Sequence, residues 1–318
     1  MPIFLSSLEK FCDGFVGYDD GSEDDSGKIF TQYGGFLLHG GSGKNGRGAT
    51  IDIRQKLLEN GRKLGGTHFI VADCDEIFAI KSDVELKQRI IELQPRERLA
   101  LNLVNLWGNE GVFCAESDPL APRLMDFAFC DSPDTTYVST SNFVHFKRTP
   151  RPSDGFGTQY VLPLENAAVL HLSSLNSDAY QLKQAWYRVC ERFYLGRSSR
   201  VINSTYEHTL PRMPITAPTL DFWKQTLSEY GSELSRIKNQ DLIDCWHFKS
   251  IKEMFACSES QSFLNLQIWH LKELRTLYFE MYGRTPSPNS RSYLREKYFD
   301  RYKFLSFKLK EIASKLSL

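Results

Sequence analysis

THFIVADCDEIF, residues 67–78, sets an apolar run from Phe69 to Ala72 against three acids in four positions, Asp73, Asp75 and Glu76. Its β-branched and aromatic content predicts a buried strand that stops at the acids. Upstream, DIRQKLLENGRKLGG (52–66) carries Ile53, Leu57 and Leu64 at helical intervals and closes on Gly65-Gly66, a C-cap signal. Before it, FVGYDDGSEDDS (15–26) predicts a short strand, Phe15 to Tyr18, that runs straight into Asp19 and Asp20. A helix between two apolar strands predicts a crossover with the strands parallel in one sheet. The ligand crevice of such a sheet lies beyond the carboxyl ends of its strands, where both acid groups fall.

The rest of the chain divides into two regimes. Up to about residue 175, apolar runs alternate with helical stretches, and further strands are predicted at LALNLVNLWG, SNFVHFKR and AAVLHL. The fold class expected is α/β, a mostly parallel sheet flanked by helices, with domains at 1–175 and 176–318. The second domain is predicted helical, from SDAYQLKQAWYRVCERFYLG, with its Ser177-Asp178 cap and Gly196 stop, through helices near Leu220, Leu242, Ser262 and Asn289. RVINSTYEHTLPRMPITAPT, rich in Pro and small polar residues, is expected to link the two.

Composition limits the function classes. With 39 basic and 39 acidic residues, the chain offers no global field for nucleic acid. Seven scattered cysteines without a C-x-x-C pair argue against a disulfide scaffold or a zinc site and favour a reducing cytoplasm. No stretch approaches about 18 uninterrupted apolar residues, so no membrane span is expected.

Asp73 and Asp75 project oxygen ligands from one tight turn, which suits Mn²⁺ or Mg²⁺ completed by phosphates and water. The same acids would equally serve to solubilise a strand end or favour the next helix N-terminus. Lys44, Arg47 and Arg54 are the nearby cations; Arg47, between Gly46 and Gly48, is the preferred phosphate partner.

The order FVGYDDGSEDDS, then GKNGRGATIDIRQ, then a helix, then THFIVADCDEIF resembles the nucleotide-binding half of family-2-type glycosyltransferases with a GT-A fold, covering residues 3 to 80. Glu76 after the Asp-x-Asp makes the motif similar to the subgroup reading Asp-x-Asp-Glu. The resemblance implies a Rossmann-like GT-A sheet, Asp19 or Asp20 at the nucleoside base, Asp73 at the ribose and metal, and Asp75 at the metal. It implies a nucleotide-sugar donor, with UDP favoured over GDP, and a glycan, lipid-linked or protein acceptor, with inversion at the sugar. It also implies that the family's first strand is missing here. His171 in AVLHLSS matches the junction where such enzymes place a further metal or diphosphate ligand, and His145 in NFVHFKR makes a weaker claim; the alternative for each is a histidine satisfied within the core.

Inverting transfer needs a carboxylate to take the acceptor's proton. Asp154 in RPSDGFGTQY is the base chosen from the sequence, ahead of Glu116 and Asp118 in CAESDP. The family's usual Glu-Asp pair and Gln-x-x-Arg-Trp signature are absent. At the carboxyl end, Leu294, Tyr298, Tyr302, Leu305, Leu309, Ile312 and Leu316 form a heptad-like seam, and eight Lys and Arg from Ser290 onward face three acids. That helix is expected to pack on its own domain, on a second subunit, or peripherally on an anionic membrane. Trp223, Trp246 and Trp269 are expected in the core, with sugar stacking as the alternative for any that is exposed. The leading expectation is a metal-dependent glycosyltransferase; the others are a non-catalytic module of the same fold and another metal-dependent phosphoryl or nucleotidyl enzyme.

Overall fold

The computed structural model describes residues 1–40, 51–107, 113–114, 121–138, 148–206, 215–216, 220–259 and 261–286. In chain order the elements are α1 (Pro2–Leu8), β1 (Val16–Asp19), α2 (Ser26–Gln32), β2 (Phe36–His39), α3 (Ile51–Lys63), β3 (His68–Ile70), β4 (Glu76–Ile80), α4 (Asp83–Ile91), β5 (Arg98–Asn105), β6 (Phe113–Cys114), β7 (Arg123–Cys130), β8 (Gln159–Val161), β9 (Ala167–His171), α5 (Ser177–Leu195), α6 (Ser199–Thr205), β10 (Ile215–Thr216), α7 (Asp221–Glu229), α8 (Gly231–Lys238), α9 (Trp246–Ala256) and α10 (Lys272–Tyr282). They fall into two compact units. The first comprises Met1–Ser177 and Leu210–Asn239, the second Asp178–Thr209 and Gln240–Leu318. Residues 210–239, read from sequence as part of the helical region, are thus grouped with the α/β part.

The first unit is α/β with a mixed sheet. Its main sheet runs β3-β7-β5-β9-β4, with β8 beside the start of β5. β3 and β5 each pair antiparallel with β7, β9 and β4 pair antiparallel, and β8 and β9 lie parallel to β5. The expectation of a mostly parallel sheet therefore does not describe it. The parallel pair predicted between the 15–18 and 67–78 strands does not form, because β1 and β3 lie in different sheets; β1 instead pairs parallel with β2, through α2, in a two-stranded sheet of their own.

THFIVADCDEIF is also two strands, not one. β3 ends at Ile70, and after five residues β4 begins at Glu76 on the opposite edge of the sheet. Laid flat, four strand spacings would separate those edges by roughly 19 Å. The Asp73–Glu76 turn, closed by Glu76 N–H donating to Asp73 O, spans less than about 7 Å. Three extended steps before it add about 10 Å at most. The join is too short for a flat sheet, so the sheet curls until its edges approach.

Both faces of the sheet are covered, which explains its near-continuous apolar strands. On one face Phe78, Leu99, Leu101, Leu103, Phe127 and Val169 pack with Phe4, Leu5 and Leu8 of α1 and with Leu86 and Ile90 of α4. On the other, Ile77, Ala79, Val104, Ala168 and Leu170 pack with Trp223 and Leu227 of α7 and Leu234 of α8. Phe30 of α2 belongs to the first cluster. Its ring lies against Gly17 of β1 and Gly35, where an added Cβ would stand 2.6 Å and 2.2 Å from it.

In the second unit, Leu182, Ala185, Trp186 and Val189 of α5 pack with Ile251 and Phe255 of α9 and Leu274 and Tyr278 of α10. α5 ends where the sequence predicts, at Gly196, whose φ of 60° is left-handed. Glu191 is buried in this core, held by Tyr206 Oη at 2.8 Å and Arg197 at 3.2 Å. A helix expected near Ser262 is a run of turns instead, and the helix expected near Asn289, with the whole heptad-like seam, lies outside the described residues, as does SNFVHFKR up to Lys147. No helix among the described residues is long and apolar enough to cross a membrane.

Gly35→Ala is expected to lower unfolding free energy by about 1–3 kcal/mol, because the Phe30 ring must move off its rotamer. Gly14→Ala, with nothing within 4 Å of the new methyl, is expected to stay within about 0.5 kcal/mol in the same urea titration.

Candidate functional site

The Val71–Asp75 join lies at the carboxyl ends of β3, β5 and β9. The strand register sets it there: Glu76 stands opposite His171, and His171 beside Asn105, in three adjacent strands. Asp75 Oδ2 is 3.1 Å from His171 Nε2, and His171 Nδ1 is 2.8 Å from Asn105 Oδ1. Leu172 N–H donates to Asp75 O, which fastens the turn to the end of β9.

On the other side of the turn stands a pair of guanidinium groups. Arg148 donates from Nη1 and Nη2 to the two oxygens of Glu76 at 2.5 and 2.6 Å, and from Nε to Val71 O at 2.9 Å. Glu76 is 1% exposed, and its Oε2 also accepts from the backbone N–H of Asp73. Burial alone would ease the proton off Arg148, but its bonds to Glu76 outweigh that, with Asp73 and Asp75 adding to the effect, and its pKa is raised. Asp73 itself is half exposed, 3.5 Å from Arg148 and 3.7 Å from Arg54. Arg54 projects from the first turn of α3 and also reaches Arg148 O at 3.4 Å.

The two acids of Asp-x-Asp therefore face different partners, Asp75 a histidine and Asp73 two arginines. Among the described residues, no three His, Cys, Asp or Glu side chains are gathered to hold a metal ion. Two carboxylates and an imidazole are nonetheless a donor set that Mn²⁺ or Mg²⁺ accepts when phosphate and water oxygens complete the shell.

Asp19 and Asp20 close β1 as expected, but Asp19 is turned onto its own loop. Its Oδ1 accepts from Gly21 N–H at 3.2 Å and Ser22 N–H at 2.8 Å, with Gly21 at φ 92°. Partial burial raises the Asp19 pKa, yet those Ser22 and Gly21 bonds lower it further, and the net shift is downward. Burial moves the neighbouring Asp20 carboxyl upward, against a bond from Tyr18 Oη at 3.4 Å.

Asp154 is not near the acid turn. It is 76% exposed and 3.3 Å from Arg96, whose other amine holds Asp134 at 2.9 Å. Arg96 precedes β5, whereas Asn105 ends it, so the length of β5, roughly 23 Å, separates Asp154 from the Asp75–His171 pair. That distance removes it as the base for chemistry at the turn. Arg47, Lys44, Glu116, Asp118 and His145 lie outside the described residues. Trp223 and Trp269 are core residues, whereas Trp246 is 55% exposed on α9.

Neither a protein-family model nor a curated protein matches this chain.

Sequence reasoning missed Arg148 and Asn105. Asn105 carries no motif and lies inside the predicted LALNLVNLWG strand, and the register that brings it to His171 is a tertiary fact. Arg148 is the last residue of the predicted SNFVHFKR strand, yet nothing local marks it as the partner of Glu76.

Arg148→Met strands a buried carboxylate and is expected to cost about 3–5 kcal/mol of stability. Glu76→Met/Arg148→Met is expected to recover most of it, and a double-mutant cycle by chemical denaturation gives the coupling.

Proposed function

We propose that this chain is a metal-dependent glycosyltransferase of GT-A-like architecture, moving a sugar from a nucleoside-diphosphate donor, UDP favoured, to a glycan, lipid-linked or protein acceptor. The observation that carries this reading is the alternation of charge at one set of strand carboxyl ends, with Asp75 on His171 and Asp73 between Arg54 and Arg148. A sugar diphosphate needs both signs there. Its phosphate oxygens call for cations, and a divalent ion beside them would call for carboxylates.

In this reading Asp75 and His171 would hold the ion, and Asp73 would join them on leaving Arg54 and Arg148. A bound divalent ion would offset the charge that develops on the leaving diphosphate. Arg54, on the first turn of α3, takes the phosphate role that the sequence assigned to Arg47. Arg148 stays with Glu76 and keeps the turn in shape. Asp19, at the end of β1, keeps its Oδ2 for the nucleoside, since Oδ1 is committed to Gly21 and Ser22. The acceptor's base is left without a residue once Asp154 is set aside.

A second reading, a non-catalytic binding module, is favoured by one observation: β1 and β2, which carry the nucleoside-side acids, form a sheet separate from the one that carries the acid turn.

Calorimetric titration of UDP and GDP, with and without Mn²⁺, tests the reading on the wild type and on Asp73→Asn/Asp75→Asn. Metal-dependent UDP binding, lost at least tenfold in the double variant, is the expected result. Binding that needs no metal, or survives the substitutions, overturns it. Metal-dependent binding without hydrolysis of any UDP-sugar would favour the non-catalytic module.

A further inference from the structure

Asn105 is the last residue of β5, in register with His171, the last residue of β9. Its Oδ1 lies 2.8 Å from His171 Nδ1, while Ser173 Oγ stands off at 3.4 Å. Nε2, on the far side of the ring, points at Asp75 Oδ2 at 3.1 Å. An amide oxygen can only accept, so this contact requires the proton on Nδ1. The Asp75 carboxylate also only accepts, so its contact is an Nε2–H bond; with Nδ1 held protonated by Asn105, Nε2 is the nitrogen that gives up its proton in favour of a cation beside Asp75.

We propose that Asn105 is a positioning residue that fixes the ring orientation and the Nδ1–H form of His171, so that Nε2 and the Asp75 carboxylate present a paired nitrogen and oxygen donor to a divalent cation. This rests on the donor-site reading above. Strand pairing makes the support rigid: Val104 and Leu170, one residue back in each strand, are fully buried and also in register. The side-chain pair is thus set by two backbones that cannot slide independently. A partner that fixes the tautomer of a ligating histidine typically governs metal affinity by about 10–100-fold.

The test uses the full-length chain and two readouts. In the first, Mn²⁺ binding in the presence of UDP is followed by electron paramagnetic resonance of the free ion for wild type, His171→Ala, Asn105→Ala and Asn105→Asp. The proposal expects Asn105→Ala to weaken Mn²⁺ binding about 10–100-fold, and Asn105→Asp, which keeps an acceptor at the same place, to stay within a few-fold of wild type. In the second, without metal, long-range ¹⁵N–¹H spectra assign the His171 nitrogens by difference from His171→Ala. Wild type and Asn105→Asp are expected to show a protonated Nδ1, and Asn105→Ala to lose that preference. Wild-type Mn²⁺ affinity in Asn105→Ala, or His171 nitrogen shifts that do not move in that variant, would overturn the positioning role and leave the donor site standing. Failure of the wild type itself to bind Mn²⁺ with UDP would overturn the donor-site reading.

Discussion

The short join between β3 and β4 constrains everything around it, and the buried Arg148–Glu76 pair is what holds it. Five residues that include a tight turn cannot cross a flat sheet from one edge to the other, so the chain must curl the sheet and bring its carboxyl strand ends together. Bending the backbone so sharply leaves Val71 O without a strand partner. Arg148 supplies the missing donor and, with the same guanidinium, neutralises Glu76. A buried carboxylate on that edge would otherwise be expensive. One side chain thus satisfies the backbone break and the charge that begins the next strand.

This arrangement separates structural from available charge. Glu76 is the third acid of the cluster and the most conspicuous addition to the motif, yet it is the least accessible to a ligand, at 1% exposure. Asp73 and Asp75 keep half and a third of their side-chain surface, and each has a partner at a longer distance than Glu76 has. Contacts of 3.5 and 3.7 Å are held by charge more than by directed hydrogen bonds. Such contacts can be exchanged for a ligand at lower cost than the 2.5 Å pair.

Local pattern showed much of this fold and little of the site. β5, β9, α3 and α5 were visible because each carries its own periodicity and stop signal, down to Gly65 and Gly196. The acids were visible because charge at a strand end breaks an apolar run. Topology was not: the crossover rule predicts that strands joined by a helix run parallel, and β1–α2–β2 obeys it, but the rule says nothing of which sheet they join. The stop at the acids of VADCDEIF was legible, but the second strand that begins at Glu76 was not, because a short apolar run after a turn carries no period of its own. Asp154 was misplaced for a related reason. A loop acid's position along the chain does not tell which end of a sheet the loop serves.

That far end explains what Asp154 does. Arg62, in the last turn of α3, forks onto Asp131 at 2.7 and 2.8 Å and also donates to the carbonyls of Ser132 and Thr135. One turn into the same helix, Gln55 Oε1 accepts from Thr136 Oγ1 and Tyr137 N–H, and Arg54 reaches Arg148 O. α3 is therefore stitched along its length to residues 131–137. Asp134 anchors that segment in turn, accepting from Ser153, Ser132 and Arg96, and the Ser153 and Ser132 bonds depress its pKa. Asp154 adds a solvent-exposed contact to Arg96 at the edge of this network. A guanidinium on a flexible loop would lose rotamer entropy on meeting a phosphate, whereas one carried on a helix pinned at both ends has its stem already placed. The scaffold at one end of the sheet thereby aims Arg54 at the acids on the other.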